Sequence, residues 1–373
     1  MAVLIQSRPS RVEAPAPAPP PKLWRPKRVL VTPAALDWAH GRGIVERAAA
    51  FGAEVVELKS NRLTGLNDEE DPRRAYIQAK GTLAVVAASA AKRRLQPIPP
   101  SADWRFDLAE GCPAHCQYCY LAGSLKGPPV TRVYANLPEI LAELPAYVGQ
   151  GAVTSRMEHR AGEGTTFEAS CYTDPLGIEH LTGSLSAAIE HFGGWAAEVQ
   201  LRFTTKYDGV EPLLGLAHGG RTRVRFSVNA EPVARRFEGG TANLHARIGA
   251  MGRMARAGYP VGLTVAPIMP IEGWREHYAA LFDDVAAALD GVTGADLTVE
   301  LITHRFTPGS KTVLEGWYPG GSLEMDESLR TRKMTKFGST KWVYPKGVMG
   351  ELRTTLEGQV RERLPGARLL YWT

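Results

Sequence analysis

Short apolar runs recur along the chain, each bounded by Gly, Pro or polar residues and separated by segments of helical periodicity. From about residue 105 onward the runs over 105–108, 165–169, 198–204, 223–228, 261–265 and 297–301 read as strands. The segments 137–147, 177–191, 243–257 and 274–289 fit helices between them. Such alternation argues for a mostly parallel sheet covered by helices. An α/β fold of the partial (β/α)6 barrel type suits it best, with a doubly wound sheet as runner-up. Upstream, a strand at 28–31, a helix at 35–51 stopped by Gly52, and strands at 54–58 and 81–88 make a small α/β lead-in. A Pro-rich connection follows around 97–100. Downstream come a hairpin at 333–344, a helix at 346–364 and a short strand ending at Thr373.

The run Ala14-Pro15-Ala16-Pro17-Ala18-Pro19-Pro20-Pro21 supports neither helix nor ladder, so an extended or disordered arm is expected over 1–26. The expected organisation is then an α/β extension over 27–100, the partial barrel over 101–327, and a C-terminal hairpin and helix over 328–373.

Apolar residues form 44% of the 373, enough for a sizeable core. No run of about 18 apolar residues appears, which argues against a membrane span. The N-terminus has no apolar segment of the secretory kind, so a cytoplasmic protein is expected. The net charge of +5 is too small to identify a partner by itself.

Four cysteines in a chain of this length do not make a disulfide framework. Three of them, Cys112, Cys116 and Cys119, stand at C-x3-C-x2-C spacing directly after an expected strand. A tight loop of this length can place three thiolates on three corners of an iron–sulfur cubane and leave one iron open to a small molecule. A Cys3His zinc site using His115 is the competing reading, but His115 lies between two ligands and no second Cys pair exists.

The motif, with Tyr118 just before its last Cys, resembles the radical S-adenosylmethionine (SAM) superfamily. Further stretches resemble one family within it, spore photoproduct lyase. They include Phe167-Glu168-Ala169-Ser170-Cys171, Asp174-Pro175-Leu176-Gly177, Leu201-Arg202-Phe203-Thr204-Thr205-Lys206, Arg225-Phe226-Ser227-Val228-Asn229, Glu300-Leu301-Ile302-Thr303-His304-Arg305-Phe306 and Lys341-Trp342-Val343-Tyr344. The likeness runs from about residue 27 to the end.

The resemblance implies a DNA repair lyase that reverts 5-thyminyl-5,6-dihydrothymine to two thymines. Its cofactors would be a [4Fe–4S] cluster on Cys112, Cys116 and Cys119, and SAM. A 5′-deoxyadenosyl radical takes hydrogen from C6 of the lesion, the bond between the thymines breaks, and Cys171 gives a hydrogen atom to the thymine radical. Tyr120 and Tyr118 match tyrosines of the hydrogen relay, and Tyr118 also lies against SAM. Thr173, Asp174, Lys206 and Ser227 match SAM-holding positions. Arg305 matches a substrate-side arginine. The implied partners are UV-damaged double-stranded DNA and a low-potential donor of flavodoxin or ferredoxin type. Two other readings remain open: a radical SAM enzyme acting on another lesion or nucleotide, and a DNA-binding protein whose cluster is structural or redox-sensing.

Between Ser328 and Gly350 there is no acidic residue, while Arg330, Arg332, Lys333, Lys336, Lys341 and Lys346 alternate with Phe337, Trp342 and Tyr344. Cations interleaved with aromatics suit phosphate contacts and base stacking. Lys336, Phe337, Lys341 and Trp342 are the expected DNA contacts, at a hairpin whose tip is Gly338-Ser339. The family commonly carries Arg-Tyr where this chain has Lys336-Phe337; lysine keeps the charge and loses the bidentate fork.

Overall fold

The computed structural model describes residues 21–66, 69–124, 127–151, 153, 157–334, 338 and 340–373. The Pro-rich arm lies outside the described residues except for its end. There His180 Nε2 pairs with the Trp24 carbonyl at 2.8 Å, and the Arg25 guanidinium lies 5.3 Å from the Phe51 ring.

The main sheet has eight strands: β1 (Gln96–Ile98), β2 (Ala102–Phe106), β3 (Thr165–Ala169), β4 (Val199–Thr205), β5 (Thr222–Val228), β6 (Val261–Ile268), β7 (Leu297–Thr303) and β8 (Arg368–Trp372). They lie side by side in chain order. All are parallel except β1, which runs antiparallel to β2. The six strands expected from residue 105 onward correspond to β2 to β7.

Apolar and polar residues alternate along these strands although both faces are buried. Phe167, Leu201, Phe203, Val224, Phe226, Leu263 and Val299 are fully buried and belong to the main hydrophobic core. Helices over Ser184–Gly193, Leu244–Arg256, Trp274–Ala288 and Lys346–Arg363 contribute to that same core. The alternate positions carry Glu168, Arg202, Arg225 and Glu300, each at most 4% exposed. Arg225 Nη1 donates to Ser101 Oγ at 2.8 Å and to Glu300 at 3.0 Å, and Nη2 donates to Glu168. Arg202 donates to the Ser101 carbonyl and, at 2.8 Å, to Glu300. Ser101 precedes β2, and Glu300 sits on β7, five strands away. On a flat sheet that separation is roughly 24 Å. One guanidinium bonds to both, so the sheet curls, with the ion network on its concave side.

A second sheet orders Glu54–Glu57, Arg28–Val31, Thr82–Val86, Thr131–Tyr134 and Ala109–Glu110, the first four parallel and the last antiparallel. The cysteine loop therefore leaves from an edge strand of this smaller sheet.

Some expectations shift. The Pro-rich connection at 97–100 contains β1, because Pro97 is tolerated on an edge strand where no ladder donor is needed. The strand expected at 105–108 lies at Ala102–Phe106; the Leu108 N–H leaves the ladder to donate to Ser170 Oγ at 2.8 Å. The helix expected over 177–191 divides into Glu179–Thr182 and Ser184–Gly193 at Gly183, whose φ is 64°. Arg47 binds the carbonyls of Leu181 and Thr182 that this break frees, at 2.7 and 3.1 Å. The helix expected over 35–51 divides into Pro33–Leu36 and Ala39–Ala50.

Candidate active site

Gly111 opens the cysteine loop at φ 73°, and a Cβ there would fall 2.0 Å from the Val130 carbonyl oxygen. Only glycine fits both the left-handed backbone and that contact. The Lys80 ammonium, itself buried, donates to the carbonyls of Cys112 and Ala114. The two-residue strand His115–Cys116 pairs antiparallel with Glu238–Gly239, and the Gln117 N–H donates to the Phe237 carbonyl at 2.8 Å. The loop is thus clamped by the end of the helix Pro72–Lys80 and by the strand Glu238–Gly239.

All four cysteines are free; Cys116 is buried, and Cys112 and Cys119 are half-buried. Burial pushes the Cys112 thiol up to about 12 and the Cys116 thiol upward too, and the neighbouring sulfurs add to both shifts. Lys80 opposes the rise at Cys112 and Lys206 opposes it at Cys116. Three soft donors that feel one another's charge, with ammonium groups beside them, suit an anionic thiolate-bound cluster. Among the described residues no group of three His, Cys, Asp or Glu is gathered as the donor set of one metal ion. His115 is engaged elsewhere: its Nδ1 pairs with the Tyr76 hydroxyl at 3.0 Å, and burial and Lys80 lower its pKa to about 4.

Beside the loop lies a buried polar cluster. Lys206 Nζ donates to Glu238 at 2.8 Å and to the Tyr118 hydroxyl at 3.1 Å, and Tyr118 donates to Glu238. Arg247 closes on the other Glu238 oxygen at 2.6 Å. Burial would raise the Glu238 carboxyl, but Lys206 and Arg247 outweigh it and lower it to about 2. Neither Glu238 nor Lys80 stands out in the sequence. The only hint for Glu238 is the Gly239-Gly240 pair after it, needed because a Cβ at Gly240 would come within 2.8 Å of the His115 ring.

Thr173 and Asp174 follow the end of β3, and Ser227 is the penultimate residue of β5, at the same end of the curled sheet. Asp174 is buried. Its carboxylate accepts the Lys206 N–H at 2.6 Å and the Gly177 N–H at 3.3 Å, so it orders the two segments that carry Lys206 and Thr173. Burial raises its pKa to about 6 against those hydrogen bonds. Thr173 Oγ1 is buried with no hydrogen-bond partner, and Ser227 is 6% exposed. A buried hydroxyl without a partner suits contact with a polar ligand group.

Cys171 and Tyr120 come from different segments and meet here: the Tyr120 hydroxyl donates to the Cys171 carbonyl. Tyr120 is 65% exposed at this face. The backbone turns into Cys171 through Ser170, whose φ of 57° is the one positive value among described non-glycine residues. Ser170 Oγ accepts the N–H groups of Leu108 and Ala109 at 2.8 and 3.3 Å, which holds this conformation. Burial, Asp107 and Glu168 push the Cys171 thiol up to about 12.

The hairpin comprises Thr331–Met334 and Thr340–Val343, with Lys333 opposite Lys341. It is pinned to the loop after β7 by paired backbone bonds between Phe306 and Trp342, of 3.2 and 2.7 Å. This brings exposed Arg305 near Lys341, whose pKa is lowered by burial and then by Arg305 and Lys333. A lysine repelled by two neighbouring cations suits an anion. Trp342 is half-buried. Arg330 and Tyr344 leave the basic, aromatic face. Arg330 is 7% exposed, donates to the His304 carbonyl at 3.1 Å, and lies 3.8 Å from the Tyr344 ring. The expected contacts Lys336 and Phe337 lie outside the described residues.

The sequence profile of the family described as Spore photoproduct lyase matches residues 24–373. The spore photoproduct lyase of Geobacillus sp. (strain Y412MC61) is 41% identical over 93% of this chain and 98% of its own length. That of Bacillus subtilis (strain 168) is 39% identical over the same shares of the two chains. Among solved structures, a mutant spore photoproduct lyase with bound AdoMet and dinucleoside spore photoproduct superposes with a TM-score of 0.86 at 39% identity. It covers 94% of this chain and 100% of its own. With likeness of this extent in both sequence and fold, the chain belongs to the spore photoproduct lyase family.

Proposed function

We propose that this chain is a radical SAM lyase that reverts 5-thyminyl-5,6-dihydrothymine in UV-damaged DNA to two thymines. The curled sheet serves as an open (β/α)6-type barrel whose mouth is the reaction chamber. Cys112, Cys116 and Cys119 hold a [4Fe–4S] cluster, and Tyr118, Thr173, Asp174, Lys206 and Ser227 hold SAM beside it. Together, when bound and reduced by a donor of flavodoxin or ferredoxin type, these groups supply a 5′-deoxyadenosyl radical.

The chain's own residues then govern the substrate. Arg305, Lys333 and Lys341 take phosphates, and the hairpin over 331–343, with Lys336, Phe337 and Trp342, engages the duplex while the lesion turns out of the stack. Once hydrogen has left C6 and the bond between the thymines has broken, Cys171 passes a hydrogen atom to the thymine radical. Its S–H bond breaks homolytically as the C–H bond forms. Tyr120 returns a hydrogen atom to the sulfur, its O–H breaking as the S–H re-forms, and the radical left on its oxygen takes a hydrogen atom back from 5′-deoxyadenosine, with Tyr118 as the second tyrosine of the relay. No helix among the described residues is long and apolar enough to cross a membrane.

The observation that carries this reading is the meeting of Cys171 and Tyr120 at the mouth where the cysteine loop also ends. The test is anaerobic turnover of reconstituted protein with SAM, dithionite and a dinucleotide bearing the lesion, following repaired dinucleotide and 5′-deoxyadenosine together. Repair, lost cleanly in Cys171→Ala, is the expected result. 5′-Deoxyadenosine without repair redirects the reading to another substrate, and neither product from cluster-loaded protein overturns it.

A further inference from the structure

Arg105 sits on β2 directly opposite Glu168 on β3, and parallel partners in register face the same way, here toward the concave side. Its Nη1 lies 3.6 Å from the Cys171 sulfur, and its Cζ lies 4.4 Å from the Tyr172 ring centroid. The guanidinium is therefore held between the thiol and the next residue's aromatic face. Lys92 flanks the same ring at 5.9 Å and is tied to Asp107 at 3.2 Å and to Glu110.

A guanidinium has only donors. In this contact the sulfur must accept, so the thiol hydrogen points away from Arg105. The backbone that carries the sulfur is held on both sides. The preceding backbone is fixed by the Ser170 bonds to Leu108 and Ala109, and the Cys171 carbonyl is taken by Tyr120.

We propose that Arg105 is a positioning residue for hydrogen-atom donation: it holds the Cys171 sulfur as an acceptor and so aims the S–H hydrogen at the product radical. This rests on the reading of Cys171 as the donor. A cation beside a thiol ordinarily favours the thiolate, which has no hydrogen atom to give. Here burial and the carboxylates of Asp107 and Glu168 outweigh Arg105 and keep the hydrogen on sulfur. The step balances as one hydrogen atom moving from sulfur to carbon, leaving a thiyl on Cys171 and a closed-shell thymine.

The test compares cluster-loaded parent, Arg105→Met, Arg105→Lys, Arg105→Gln and Cys171→Ala. Each is assayed for repaired dinucleotide per 5′-deoxyadenosine formed, and, in D2O, for the share of repaired thymine carrying deuterium from the exchangeable thiol. Removing the donors misdirects a hydrogen held at close range, so Arg105→Met is expected to lose repair per 5′-deoxyadenosine by about tenfold. The same variant is expected to keep the KM for the dinucleotide and the rate of 5′-deoxyadenosine formation. Deuterium incorporation falls with it, and Arg105→Lys, which keeps a cationic donor, recovers most of the loss. Arg105→Gln is read the same way if the methionine variant does not fold. Parental coupling and labelling in the folded neutral variant, with Cys171→Ala impaired, overturn the role of Arg105 alone. Parental coupling in Cys171→Ala overturns the donor reading and this inference with it.

Discussion

Lys206 and Glu238 form a buried ion pair of 2.8 Å beside the cysteine loop, with the carboxylate side chain fully buried. The pair joins the end of β4 to the short strand Glu238–Gly239 that lies against Cys116. Glu238 thereby connects a residue expected to hold SAM with the loop expected to hold the cluster.

Replacing Glu238 with Gln leaves Lys206 and Arg247 buried without their shared anion. Breaking a buried pair from one side costs about 3–5 kcal/mol. Glu238→Gln is therefore expected to unfold at markedly lower denaturant and to incorporate less iron on reconstitution. Chemical denaturation and iron analysis read both effects. A double variant, Glu238→Gln with Lys206→Met, is expected to recover part of the stability by removing one of the stranded cations.

Gly111→Ala places a methyl group 2.0 Å from the Val130 carbonyl at a φ of 73°. The loop must move, so thermal stability and iron content should both fall. Gly127→Ala is the control: its φ is 87° with nothing near its Cβ position, so only the backbone strain of about 1–2 kcal/mol applies.

The ion network inside the curl gives stability a defined pH dependence. Burial alone would raise the Glu300 carboxyl, but Arg225 and Arg202 lower it below its ordinary value. A carboxylate depressed in the folded state contributes stability that is present above its unfolded pKa and lost as pH falls through the folded one. Unfolding free energy should then decline as pH drops below about 4.3, the ordinary Glu value. Glu300→Gln should flatten that decline while lowering stability at neutral pH, as measured by denaturant titrations across the acid range.

At the hairpin, Lys333→Ala and Lys341→Ala should each weaken DNA binding at low salt irrespective of sequence. Each lost phosphate contact reduces the slope of log K against log salt by about 0.9. Fluorescence anisotropy over a salt series measures it. Arg330→Ala should instead leave the slope unchanged and lower stability, because Arg330 is buried against His304, Glu324 and Tyr344.

Much of the fold is legible along the chain itself. Strand and helix alternate with short connections, and apolar runs such as 223–228 and 297–301 stand within a residue or two of β5 and β7 because their periodicity is local. The cysteine spacing and the widespread family likeness are also written along one dimension. What the tertiary structure decided are relationships between distant segments. Glu300 and Ser101 lie on opposite flanks of the sheet in sequence and meet one arginine only because the sheet curls. Lys80 and Glu238 flank the cysteine loop from either side in the chain and become its clamps only on folding. Arg330, one of the basic run's cations in sequence, turns inward because His304 and Glu324 provide the hydrogen bonds that a buried guanidinium requires. Arg105 reads as one more strand residue until β3 brings Cys171 beside it. Periodicity is set by neighbours in the chain, whereas burial and charge pairing are set by neighbours in space, and only folding makes the second kind.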